Sequence, residues 1–202
     1  TEFLFPRKTK EILNVTKSMT ISELQLLMGI SDNLAKLNHA RYQDFDINHG
    51  KNKVVQAIFT FRGDTYVGLN AEKFSKDDVT FAQKNLRILS GLYGLLRPLD
   101  GIQPYRLEMG TKIRINGKND LYDFWTESIT NKLKKELEND NKSLINLASE
   151  EYFKVIDESK LKSKVITPIF KSRKNGDLKT IGILSKRARG MMANFIIKNR
   201  IE

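Results

Sequence analysis

The chain has no cysteine among its 202 residues, only two histidines and only four prolines. The missing cysteine excludes disulfides, thiolate nucleophiles and zinc–thiolate sites together. His39 and His49 lie among polar residues near an expected turn, which favours a surface role over metal ligation. No run of eighteen apolar residues and no charged-apolar-small leader occurs, so neither a membrane span nor a secretory signal is expected, and the location expected is the cytoplasm. P-loop, dinucleotide-fingerprint and nucleophile-elbow motifs are missing too, as is the Glu-x-x-His pair that holds iron in helix bundles. No metal site and no cofactor are therefore expected. An enzyme built on this chain would have to work through carboxylates, lysine or tyrosine.

What is present is an ordinary globular composition, 40% hydrophobic and 9% aromatic, long enough for one compact domain. The charge is less ordinary. Thirty-five Lys and Arg against 24 Asp and Glu leave a net +11, which favours a polyanionic partner such as DNA or RNA. Residues 141–202 hold fourteen Lys or Arg and six Asp or Glu, so most of the excess lies in the C-terminal third.

Residues 7–45 read as helices, with Leu24, Leu27, Met28, Leu34 and Leu37 at helical spacing, Ser22 and Ser31 as N-caps and Gly29 as a separator. The stretch from Val54 to Leu69 alternates around Arg62-Gly63-Asp64 and reads as a hairpin, or a strand followed by a turn. Ser75, Asp77 and Asp78 open a helix. A long helix runs from Leu121 to Glu138 with apolar positions at Phe124, Trp125, Ile129, Leu133 and Leu137. Three short β-rich runs follow, the last two joined by an expected turn at Asn175-Gly176-Asp177, and a final helix is expected over Arg187 to Lys198. Helices and strands mix without a βαβ alternation, so the expected class is α+β, with a mixed sheet and flanking helices.

Three places could carry chemistry. In LRILSGLYGLLRPLDGIQPYRLEMG, Gly91 and Gly94 bracket Leu92 and Tyr93, which suits a helix-hairpin-helix turn whose backbone N–H groups approach a phosphate, with Arg97 and Arg106 supplying charge. A helix C-cap glycine in an ordinary core explains the same letters. In SKRARGMMANFIIKNR, the cations Lys186, Arg187 and Arg189 fall at an expected helix N-terminus, where they oppose the macrodipole unless an anion sits there, while Met191, Met192, Phe195 and Ile196 fit a buried face. In INLASEEYFK, Asn146, Ser149, Glu150 and Tyr152 stand where a strand gives way to a helix and could hydrogen-bond a small polar ligand such as a nucleobase. An N-cap with two favourable first-turn carboxylates explains them equally. Asp64 and Asp123 are further candidate acids.

These segments resemble the peroxide stress protein YaaA family along nearly the whole chain. The resemblance rests on FRGDTYVGL, FAQKNLRILSGLYGLLRPLDGIQPYRLEMG, DLYDFW, ITNKL, INLASEEYF and KRARGMMANFIIKNR, in that order. It implies a cytosolic bacterial protein that protects against hydrogen peroxide, limits iron-linked damage and binds double-stranded DNA. It also implies an unusual α+β fold with a helix-hairpin-helix-like element, at Ser90 to Leu95 here beside Arg97 and Arg106, and a basic cleft taking Lys186, Arg187 and Arg189. One domain is expected over residues 1–202, without the family's opening strand with its Ser-Pro-[Ala/Ser]-Lys motif and without its acidic, aromatic tail. A monomer is favoured. The alternative is an enzyme acting on a nucleobase or nucleotide through Asp64, Asp123, Asn146 or Glu150.

Overall fold

Pro6 stands at the first position of α1 (Pro6–Ser18), where its missing N–H breaks no intrahelical bond. In the computed structural model, which describes residues 1–47, 54–140, 143–174 and 177–201, helices and short strands alternate along the chain. α2 (Ile21–Met28) is opened by Thr20, not by the expected Ser22: the Thr20 hydroxyl accepts from the Glu23 N–H, and the Glu23 carboxylate accepts from the Thr20 N–H at 2.7 Å. Ser22 falls inside the helix. Gly29 closes α2 at φ 60°, and α3 (Asp32–Gln43) follows Ser31 as expected. Leu34 and Leu37 are exposed, contrary to the helical spacing. The inward face of α3 is Ala35, Asn38 and Tyr42, turned by the Tyr42 hydroxyl, which donates to the Arg106 carbonyl at 2.6 Å. His39 is half-buried on this helix beside Gln43, and His49 lies outside the described residues.

The alternating stretch is not a hairpin. It is a two-residue strand β1 (Val55–Gln56) followed by α4 (Ala57–Thr60) and α5 (Asp64–Leu69), with Gly63 at φ 135° making the turn. Ile58, Phe59 and Tyr66 pack with Ala193 and Ile197 from the other end of the chain, and that packing overrides the strand preference of the stretch, while Val54, Val55 and Val67 stay exposed. A 3₁₀ turn (Ala71–Lys73) leads to α6 (Lys76–Asn85), opened as expected by a capping box between Ser75 and Asp78.

The double-glycine segment is a β-hairpin, not a helix-hairpin-helix. β2 (Ile88–Ser90) and β3 (Gly94–Leu96) pair antiparallel, with Ser90 opposite Gly94. Leu92 and Tyr93 in the turn are fully buried, and the Tyr93 N–H donates to Ser90 Oγ. The reason lies in Trp125. Its Nε1 donates to the Gly91 carbonyl at 2.9 Å, and a Cβ on Gly94, which sits at φ +73°, would lie 2.7–3.0 Å from three atoms of its ring. The glycines make room for an indole.

β4 (Gly101–Ile102) pairs with β1. α7 (Leu121–Asp140) then buries the expected Phe124, Trp125, Ile129, Leu133 and Leu137 in the main hydrophobic cluster. β5 (Leu144–Ile145), α8 (Glu150–Phe153), a 3₁₀ turn (Glu158–Lys160) and β6 (Val165–Ile166) follow, β5 and β6 parallel. β7 (Ser172–Lys174) and β8 (Asp177–Lys179) pair as a C-terminal hairpin around the expected turn, whose residues Asn175 and Gly176 lie outside the described residues, but not on the expected runs: KVITPIF supplies β6 instead, and KTIGILS gives only Lys179 to β8 before turning helical at Gly182. α9 (Gly182–Lys198) ends the fold. The architecture is one α+β domain, its described strands arranged in four two-stranded sheets, not in one mixed sheet.

A second, smaller cluster of Ile58, Leu69, Ala71, Ala82, Ala193 and Ile197 lies beneath α9. Met191 and Phe195 do not join it; they are 63% and 56% exposed, and the buried line of α9 is Ser185, Gly190, Ala193 and Ile197. Tyr66 packs against both clusters and so marks their seam.

Candidate functional site

Two glycines position the basic helix. Where α5 crosses α9, a Cβ on Gly190 would be driven into the Thr65 carbonyl and would lie 2.6 Å from the Leu69 nitrogen, and a Cβ on Gly68 would meet the backbone of Arg187 and Met191. The helices therefore touch backbone to backbone, an approach that any side chain would prevent. The Asn194 amide donates to the Leu69 carbonyl at 2.7 Å, and Arg187 Nε sits 3.0 Å from Asp64 Oδ1. Asp64 is in the first turn of α5, where the helix dipole favours a carboxylate.

α9 begins at Gly182, earlier than expected, so Lys186, Arg187 and Arg189 lie beyond its first turn. The dipole therefore does not oppose them, and their interest rests on their partners. Arg187 is engaged by Asp64. Lys186 is exposed and Arg189 half-buried, and among the described residues neither is in an ion pair.

Arg189 helps line an open cleft of about 420 Å³ between α9 and the β5–α8 connection, with Asn146, Glu150, Lys154, Glu158 and Ser185. Asn146 is nearly buried and committed to local structure: its Oδ1 accepts from the Ala148 N–H at 3.0 Å and its Nδ2 donates to Thr167 Oγ1 at 3.3 Å. Ser149 caps α8 by accepting from the Tyr152 N–H, as the N-cap reading expects, and Glu150 is left exposed in the first turn. Asp123 lines a different, wider hollow at the start of α7, together with Asp120, Glu127 and Lys160, and accepts from the Asn119 N–H at 3.3 Å. Of the four candidate acid and amide groups, then, Asn146 and Glu150 share a cleft, Asp64 holds Arg187, and Asp123 stands apart. Among the described residues no group of three His, Cys, Asp or Glu is arranged to hold a metal ion.

The hairpin residues serve the fold. Gly94 makes room for the Trp125 ring, and a Cβ on Gly91 would meet the Leu107 carbonyl. Arg97 compensates the fully buried Asp100 at 2.9 Å and donates to the Glu2 carbonyl at 2.6 Å. Arg106 is paired with Glu108 at 2.7 Å on the surface.

One group of residues was legible only singly. Phe61 stacks on Tyr66 with ring centroids 5.3 Å apart, and meets Tyr105 edge-on at 6.3 Å. Tyr105 shares a 2.5 Å hydrogen bond with Ser90 Oγ and packs edge-on against Tyr93 at 5.4 Å. Tyr152 packs against the main hydrophobic cluster, its hydroxyl pushed up to about 12 by burial and then by Glu151 and Glu108. Burial raises Tyr66 and Tyr105 as well, so all three hydroxyls are neutral at any ordinary pH. Only Tyr152 stood out in the sequence. The others come from separate segments with no shared periodicity, so no local pattern could have joined them.

The family model for peroxide stress protein YaaA matches residues 1–202. The UPF0246 protein lpl1317 of Legionella pneumophila (strain Lens) is 50% identical over 197 residues, which covers 96% of this chain and 77% of that relative. The segments that build the α5–α9 crossing, the glycine hairpin and the tyrosine group are those that carried the resemblance, and the chain belongs to the peroxide stress protein YaaA family.

Proposed function

We propose that this protein acts in the cytoplasm in the peroxide stress response, limiting iron-linked damage by binding double-stranded DNA along the basic face of α9. The observation that carries this reading is the pair of cations without an ion-pair partner among the described residues, Lys186 exposed and Arg189 half-buried at the mouth of a cleft, in the part of the chain that holds most of the net +11. Such cations are suited to phosphate, and a helix held rigidly against α5 presents them at fixed spacing. Arg187 has a supporting place, since Asp64 already neutralises and orients it. The buried hairpin at Gly91 and Gly94 takes no part in this reading.

The test is a titration of fluorescent duplex DNA at several salt concentrations, with wild type and with the Lys186→Ala/Arg189→Ala variant. Each cation–phosphate interaction removed lowers the slope of log affinity against log salt by about 0.9, so removing two should flatten it by roughly 2. An unchanged slope removes α9 from the interface. Nucleobase enzymology receives less support, because its proposed groups are dispersed and the Asn146 amide is already bonded at both atoms.

A further inference from the structure

We infer that the C-terminal ribbon β7–β8 is a DNA-reading arm that lies in the major groove of a duplex held by α9. The inference rests on the α9 reading and adds to it contact with base edges, which cations directed at phosphate do not supply.

The ribbon stands on the surface. β8 is exposed at each of its residues, Arg173 is exposed on β7, and Leu178 is 62% exposed in the middle of β8. A two-stranded hairpin with no apolar face of its own packed on a core is marginal in water and gains from a partner. Its base is nevertheless fixed. Only Thr180 and Ile181 separate β8 from α9, and the buried Ser185 hydroxyl, in the first turn of α9, donates at 3.3 Å to the Phe170 carbonyl just before β7. Both strands are thus tied to one end of α9. Phe170, Thr180 and Arg189 line the same cleft, so the ribbon and the helix flank one opening.

Charge and register then select the occupant. Lys171 and Arg173 are exposed and, among the described residues, in no ion pair, while Lys179 has the exposed Asp177 at 3.3 Å, a contact worth little in water. The excess is positive, which suits a polyanion. Arg173 pairs directly opposite Leu178, so a guanidinium and an exposed aliphatic chain share one face of the ribbon. Major-groove edges answer to those two groups: a guanidinium donates in pairs to guanine O6 and N7, and an apolar group packs on the thymine methyl. Cations that only kept an exposed strand edge from aggregating would need no leucine beside them. Size agrees as well. The major groove, about 12 Å wide, admits a two-stranded ribbon, and strands of three residues at about 3.4 Å each come close to its depth of about 8.5 Å.

The test compares two duplexes of one mixed sequence, equal in length and charge. In the second, 7-deazaguanine replaces guanine and uracil replaces thymine, which removes the guanine N7 acceptor and the thymine methyl and leaves base pairing intact. Fluorescence anisotropy with the whole chain should show about tenfold tighter binding of the unmodified duplex, the discrimination of one good base contact. Arg173→Ala/Leu178→Ala should bind both duplexes alike, with circular dichroism and thermal unfolding confirming that the variant is folded. Lys186→Ala/Arg189→Ala should weaken both and keep the ratio. Equal binding of the two duplexes by wild type overturns the inference. So does a ratio that persists in Arg173→Ala/Leu178→Ala, which would trace it to altered DNA shape. Either of these outcomes leaves the α9 reading standing if Lys186→Ala/Arg189→Ala still flattens the salt dependence. A ratio lost in the ribbon variant, with a salt dependence that the α9 variant does not change, would keep the ribbon and remove α9. Absence of duplex binding at every salt concentration overturns both.

Discussion

Gly190 shows how much a single residue can decide. Its missing side chain lets the Thr65 carbonyl and the Leu69 nitrogen approach α9, and neither is the far end of a flexible group that could swing aside. Gly190→Ala should therefore force the helices apart, destabilising by about 3 kcal/mol, the upper part of the usual range for overpacking, and lowering Tm by roughly 6–12 °C for a chain of this size. Gly182, in the same helix, has nothing within 4 Å of where its Cβ would stand. Gly182→Ala should change stability by no more than ~1 kcal/mol, in the favourable direction, because alanine restricts the unfolded chain. Thermal unfolding of the pair checks the argument, and equal shifts would refute it. In the sequence the two glycines look the same; what separates them is the approach of α5, more than a hundred residues upstream.

Helix α7 was legible because its signal is local: five apolar positions at helical spacing all reach the core. The Ser75–Asp78 capping box was legible for the same reason. The glycine hairpin was misread because turn glycines look alike whether helices or strands flank them, and the deciding partner, Trp125, lies 34 residues from Gly91. Helix α9 was legible as a helix but not in its buried face, which α5 sets, nor in its start at Gly182, which has nothing packed against it. Its far end is tied to α6 by Arg200, whose Nη1 reaches Asp78 Oδ1 at 2.8 Å and also the Ile197 carbonyl. The Asp78 carboxyl is held below its ordinary range, first by the Ser75 N–H and then by Arg200. A depressed folded-state pKa contributes stability above the unfolded value of about 4, and that contribution is lost as pH falls through the folded value. The wild-type Tm should thus fall more steeply on acidification below pH ~4 than that of Asp78→Asn, whose Tm should be lower at neutral pH. Parallel curves from pH 6 to pH 3 would show that the tie does not couple the two helices.

For the molecule as a whole, charge and family were readable early, because both are spread along the chain and do not depend on which segments meet. The aromatic seam was not, since Phe61, Tyr66, Ser90 and Tyr105 come together only after folding. Its collective behaviour is open to direct measurement through the six tyrosines. Burial pushes Tyr42, Tyr66, Tyr93 and Tyr105 well up and Tyr152 to about 12, while Tyr122 is raised by burial and then by Glu151 and Asp120. A raised folded-state pKa means that stability is intact below the unfolded value of about 10 and falls as pH rises above it, because the unfolded chain gives up those protons first. Five such groups acting together should make alkaline unfolding cooperative. Titrated by absorbance at 295 nm, the native protein should ionise at most one of its six tyrosines by pH 11, and the remainder should ionise in a single step that coincides with loss of helical circular dichroism. Gradual ionisation of several tyrosines with the helical signal intact would mean that these hydroxyls are open to water in the folded protein, and would refute the cooperative alkaline transition.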